Sequence, residues 1–212
     1  MKNFQVCQKK YFRHGLTLIE LIVSLFIISF VTAIFVTNYR STNKRTDLVM
    51  TAQVLVSDIH RAQNNSLGLV KYGDVSPAGG WGINFDLTKK NRYVVFADLQ
   101  GPTTSGYPTT GYRIYDPNTE GDINKGARVV MLPPDIELAS LRMAGYSSPI
   151  YSANVTFLPP DPQINIYAQG ATSTMLEIGV RELQSDTVKL IQVNFLGLAE
   201  VLDAYVPESN GS

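Results

Sequence analysis

The chain has 212 residues, with 18 basic and 18 acidic side chains and 44% hydrophobic residues, enough for one special-purpose segment and one globular domain with its own core. The balance is uneven: residues 1–15 hold Lys2, Lys9, Lys10 and Arg13 and no acid, so the remainder is acidic by about four charges. Such a body lacks the clustered cations that a dominant nucleic-acid role needs, and the single cysteine, Cys7, leaves the rest of the chain without a disulfide framework or a thiol site.

Behind the basic segment, Leu16–Val36 contains no Lys, Arg, Asp, Asn, Gln, Gly or Pro, and Glu20 is its only charge. At about 1.5 Å per residue it matches the roughly 30 Å of a hydrocarbon core. It is longer than the apolar region of a cleaved secretory signal, about 7–15 residues. The basic flank puts the N-terminus in the cytoplasm and the body across the membrane. Glu20 is the odd residue, because a carboxylate at membrane depth costs about 2.5–3.5 kcal/mol and is usually paired. Two readings stand: Glu20 reaches the headgroups from one turn inside, or its partner is a cation on another copy.

The run "GLTLIELIVSLFIISFV" resembles the processing site of type IV prepilins and type II secretion pseudopilins. The resemblance implies cleavage by prepilin peptidase between Gly15 and Leu16, and N-methylation of the new Leu16 amine. It places Thr17 and Glu20 at the second and fifth mature positions, as assembly residues. The leader, residues 1–15, is then lost with Cys7. The physical logic agrees: a freed α-amine has a pKa near 8 and is mostly cationic at neutral pH. Inside a filament it would pair with the Glu20 carboxylate of a neighbour and set the register. The family also implies other pilins or pseudopilins as partners in a hetero-oligomeric filament, and an assembly platform in the inner membrane. Two departures are present. Leu16 stands where Phe or Met is commoner, and the apolar helix lacks the Gly and Pro frequent in major pilins. Both leave room for a minor subunit.

After Val36 the chain turns polar, and helical spacing resumes at Leu48, Ala52, Leu55, Ile59 and Ala62. No proline interrupts residues 16–67, so one helix of about 75 Å is expected. Its parts are a transmembrane stretch, 16–36, and a continuation, 37–67, packed on the head. Ser41–Thr42–Asn43 is the expected weak point, Asp47 begins the apolar face, and Gly68 is the expected left-handed cap. His60 is read as structural or solvated, since the only other histidine is His14 in the leader.

The head, residues 68–212, reads as β. "GWGINFD" alternates with Trp81, Ile83 and Phe85 on one face, and "RYVVFAD" follows as its hairpin partner. Further strands are expected at "GYRIYD", "ARVVML", "IELASL", "ANVTFL", "TMLEIGV" and "VKLIQVNF", with Ile191, Val193 and Phe195 on one face. Gly197 turns the chain into "LAEVLDA", and the tail "VPESNGS" is expected to fray. The fold class is α+β: a long N-terminal helix, transmembrane in its first half, packed on an antiparallel sheet in a type IV pilin-like layout. "RAQNNS", "YVVFAD", "LPPDIEL", "VTFLPPDP" and "IQVNFLGLAEV" are similar in order to the minor pseudopilins of the GspH and FimT type. Pro159–Pro160–Asp161 departs where that group usually has a glycine.

Chemistry is sparse. Asp116, Asn118, Glu120 and Asp122 alternate as at the start of a Ca²⁺ loop. The twelfth position is Ala127, however, so an Asx-type turn is the preferred reading and calcium the alternative; no other cofactor is expected. Tyr107 and Tyr112 sit in a Gly/Pro/Thr-rich loop suited to recognition or to covering the core edge. Lys89, Lys90 and Arg92 form a short cluster in a hairpin turn, and the tail carries Glu208 and no cation. Nucleic acid is accordingly disfavoured as a partner. Asp98, Asp135 and Glu137 read as surface charges, and no catalytic constellation is apparent, so the chain is not read as an enzyme. The rival to a filament subunit is a binding module on the same anchor, an adhesin or DNA-uptake receptor.

Overall fold

The computed structural model describes residues 17–99, 113–115, 127–158 and 163–203. Helix α1 runs Leu18–Leu67, continuous through Ser41–Thr42–Asn43. The chain divides into two compact units, Met1–Asn43 and Lys44–Ser212.

Among the described residues of the second unit, ten strands form two antiparallel sheets. One has six strands in the order β3-β2-β1-β5-β6-β7, the other four in the order β10-β9-β8-β4. The first comprises β1 (Gly80–Asp86), β2 (Arg92–Asp98), β3 (Ala127–Met131), β5 (Ser152–Leu158), β6 (Gln163–Ala168) and β7 (Ala171–Ser173). The second comprises β4 (Ile136–Met143), β8 (Met175–Glu182), β9 (Val188–Asn194) and β10 (Ala199–Asp203). The α+β class stands, with two sheets where the sequence suggested one and with β6 and β7 unanticipated.

The helical stripe is the spine of the core. Leu48, Ala52, Leu55, Ile59 and Ala62 are all completely buried. They pack in one cluster with Ile83, Phe85, Tyr93 and Val155 of the first sheet and Leu138, Ile178, Val180, Ile191 and Val193 of the second. Spacing of three and four puts such residues on one helix face. Burying each large aliphatic among them contributes about 1.5–3 kcal/mol. Polar clamps fix the helix against the six-stranded sheet. The Tyr93 hydroxyl donates to Asp58 Oδ2 at 2.7 Å, and Arg128 Nη2 donates to Asp58 Oδ1 at 2.9 Å. Burial first, and then the bond to Asp58, pushes the Tyr93 hydroxyl pKa far up. Buried Ser66 bridges in both directions: its Oγ donates to the Phe157 carbonyl at 2.6 Å and accepts from the Trp81 amide at 2.8 Å. Gly80, at φ +84°, passes so close that a Cβ there would overlap the Phe157 carbonyl, which only glycine allows.

The helix cap differs from expectation. The left-handed residue is Leu69, at φ 51°, and Gly68 is not left-handed. The Val70 amide bonds the Asn65 carbonyl at 2.9 Å and the Leu69 amide bonds the Ser66 carbonyl at 3.1 Å. This is a Schellman arrangement with Leu69 in the place glycine normally takes. A glycine one position early does not move the cap, because those two bonds fix which residue must turn left-handed.

Four further expectations are corrected. In "GYRIYD" the described residues, Arg113–Tyr115, form a turn and bend, with Arg113 at φ 62°. Their backbone groups bond side chains of the first sheet instead of a strand ladder. Phe195 lies beyond the end of β9 and is 58% exposed, unlike buried Ile191 and Val193. There the chain reverses on Gly197, whose amide bonds the Asn194 carbonyl at 2.9 Å. Asp98 is no surface charge: it is completely buried at the end of β2 and accepts from the Arg113 amide. Glu137 is largely buried too, between Arg181 and Lys90; Asp135 is exposed as read. The tail 206–212 lies outside the described residues.

Candidate functional site: the N-terminal helix

Thr17 is the first described residue and Leu18 the first in the helix. The Glu20 amide donates to Thr17 Oγ1 at 3.3 Å, and the Leu21 amide to the Thr17 carbonyl at 3.2 Å. Thr17 is therefore the N-cap and Glu20 the third helical residue; the Thr-x-x-Glu spacing is that of a capping box, of which the structure shows the threonine half. A carboxylate in the first turn also meets the positive end of the helix dipole. The sequence reading assigned Thr17 to assembly alone and missed this local role, although Thr-Leu-Ile-Glu spells it.

Leu18–Phe35 has a mean hydropathy of 2.6, and none of it is buried among the described residues of its own unit. Leu18 is 77% exposed and Phe26 72%. Two of the three hydroxyls within it bond the helix itself: Ser24 donates to the Glu20 carbonyl and Thr32 to the Ile28 carbonyl, each at 2.7 Å. Such internal bonding is what an apolar solvent demands of a helix. The Glu20 carboxylate is different. It is exposed, and it makes no ion pair or side-chain hydrogen bond among the described residues. An exposed apolar surface this long needs a lipid or protein partner.

Gly15 and Leu16, the expected scissile pair, lie outside the described residues. So do Asp116, Asn118, Glu120 and Asp122, and the loop tyrosines Tyr107 and Tyr112. Among the described residues, no three His, Cys, Asp or Glu side chains are placed to hold a metal ion. His60 is half-buried on the helix beside Gln53, Ser57, Arg61 and Asn64 in an open groove. In the β1–β2 turn, Lys90 reaches Glu137 at 3.9 Å while Lys89 is exposed.

Residues 12–36 match the family model described as the prokaryotic N-terminal methylation motif. The chain thus carries the processing motif of type IV pilin-like proteins at the head of an apolar helix. No curated protein and no solved structure gives a significant match to the chain. The match fits a membrane-anchored, processed subunit. It spans 25 residues, and the head is read on its own geometry.

Proposed function

We propose that the chain is a minor pilin or pseudopilin, a structural subunit of a type IV pilus or a type II secretion pseudopilus, with no catalysis of its own. The observation that carries this reading is the methylation motif at residues 12–36, leading into an exposed apolar helix with one carboxylate near its start. In this reading prepilin peptidase removes residues 1–15, cutting between Gly15 and Leu16, and methylates the Leu16 amine. Residues 16–36 hold the precursor in the inner membrane with its N-terminus cytoplasmic, residues 37–67 continue the helix, and residues 68–212 form the head outside. The order of the head motifs supports a GspH- or FimT-like subunit.

Assembly follows from the helix. A freed cationic amine and the Glu20 carboxylate are each costly alone in a low-dielectric surrounding, and removing one partner of such a buried pair costs about 3–5 kcal/mol. Glu20 supplies the negative half, and Thr17 caps the helix so that the amine leaves it at a fixed point. Other pilins and the inner-membrane assembly platform are the partners.

The test is Glu20→Ala, expressed beside the wild-type protein in its host. The variant should be cleaved normally but should enter sheared filaments at least about a hundredfold less, since each 1.4 kcal/mol is a factor of ten. Equal incorporation of the two would remove the pairing role.

A further inference from the structure

The turn between β9 and β10 carries three large apolar side chains, Phe195, Leu196 and Leu198, which are 58%, 67% and 54% exposed. It is held in one shape. Asn194 Oδ1 accepts from the Leu196 amide at 3.0 Å and from the Leu198 amide at 3.1 Å. The Asn194 amide donates to the Leu198 carbonyl at 3.1 Å. Gly197, at φ +85°, lies against α1 and β6, where a Cβ would overlap the Gln63 side chain and crowd Ile164 Cδ1. The turn is thus a fixed tip on one flank of the helix, offering roughly 300 Å² of apolar surface.

The other flank of the helix carries a hollow. A groove of about 280 Å³ is lined by Met50 and Val54 of α1, Val130 and Met131 of β3, and Leu132 and Pro133 beyond it. Met50, Val54 and Met131 are each more than half exposed, and methionine adapts readily to the shape that fills such a gap. β3 is the outermost strand of the six-stranded sheet. Val54 in the groove and Gln63 under the tip are about half a turn apart around α1 and about 14 Å apart along it. Tip and groove of one copy therefore lie on opposite flanks of the helix and do not meet.

We propose that the tip Phe195–Leu198 of one copy seats in the α1–β3 groove of a second copy. The contact is heterologous: each copy that uses its tip keeps its groove free, so a row of copies extends without closing. Size argues for a second copy. A stable complex buries about 800 Å² per partner, so a patch this small holds only a partner already kept beside it. The exposed apolar helix that each copy carries gathers such partners. Charge adds to this. Of the two exposed charges that follow the helix end, Lys71 and Asp74, Lys71 adjoins exposed Val70, and Asp47 lines the groove. None of the three has an ion pair among the described residues, so Lys71 can pair with Asp47 across the contact. The contact involves the heads and holds equally for an uncleaved chain, so it stands apart from the processing reading.

The test is thiol cross-linking of the full chain in detergent, with Cys7→Ala throughout because Cys7 is the one native thiol. Chains with Leu196→Cys are mixed with chains with Val54→Cys and treated with a short bismaleimide. The heterodimer should form at least about tenfold above the yield from Leu196→Cys mixed with Gln53→Cys, an exposed helix position off the groove. Either chain alone should give no more than that background. Adding Phe195→Ser and Leu198→Ser to the Leu196→Cys chain should lower the heterodimer at least about tenfold. The urea midpoint should stay unchanged, since both residues are on the surface. Equal yields with Val54→Cys and Gln53→Cys would overturn the proposal, as would dimers from Leu196→Cys alone, which join tip to tip. A Leu196→Cys thiol shielded by detergent and joined to neither partner would assign the tip to a lipid surface and overturn it as well.

Discussion

Leu69→Gly should stabilise the protein. The residue sits at φ 51° with its side chain 56% exposed. A non-glycine residue in the left-handed region costs about 1–2 kcal/mol, and so exposed a side chain loses little packing on truncation. Against this, the glycine loosens the unfolded chain by about 0.4–1 kcal/mol. The net gain is centred on about 0.8 kcal/mol within a range of about 0–1.6, or about 2–3 °C in Tm at the centre for a domain of this size. The control is Gly68→Ala. A Cβ on Gly68 would lie 3.1 Å from the Asn64 carbonyl oxygen and 3.6 Å from Val70 Cγ2, tight but not overlapping, and its backbone is not left-handed. Alanine there should change stability by less than about 1 kcal/mol. Thermal and urea unfolding of the full chain in detergent, followed by far-UV circular dichroism, reads both. A cap built on Gly68 would give the reverse pattern: Gly68→Ala strongly destabilising and Leu69→Gly neutral or worse. That result would refute the reasoning.

The core stripe and the helix clamp make their own predictions. Leu55→Ala removes a completely buried side chain from the centre of the core and should cost about 2–5 kcal/mol, measurable as a lower urea midpoint at unchanged slope; a cost under 1 kcal/mol would deny the helix its place in the core. Tyr93, held protonated by burial and by Asp58, contributes stability that is fully present below the ordinary tyrosine pKa of about 10 and is lost as pH rises above it. Absorbance titration of phenolate should show one tyrosine lagging behind the rest until the protein unfolds, and Tyr93→Phe should abolish that lag; a lag that survives the substitution would assign the shift to another residue.

The long helix was legible because its apolar residues recur at three and four, a period no strand shares. The strands with plain alternation, such as "GWGINFD", were legible for the same kind of reason. β6 was hidden behind "LPPDP", whose prolines read as loop, although Ile164, Ile166 and Ala168 alternate. β7 has three residues, too few for any periodic signal. The seating of Arg113–Tyr115 on side chains of the first sheet could not be read from sequence. Its acceptors and donors lie 15 to 43 residues away along the chain, and "GYRIYD" alternates as well as true strands do. The buried state of Asp98 follows from the same contacts. At the N-terminus the position is reversed. The methylation motif lies in consecutive residues, 12–36, and no partner for the Glu20 carboxylate lies among the described residues.

The central claim is that residues 12–36 are a processing signal as well as an apolar helix. Intact mass of the protein isolated from its native host tests this most directly. The account predicts a chain beginning at Leu16 and carrying one added methyl group on its amine. A chain retaining residues 1–15 after normal expression, or one cut at another bond, would contradict it.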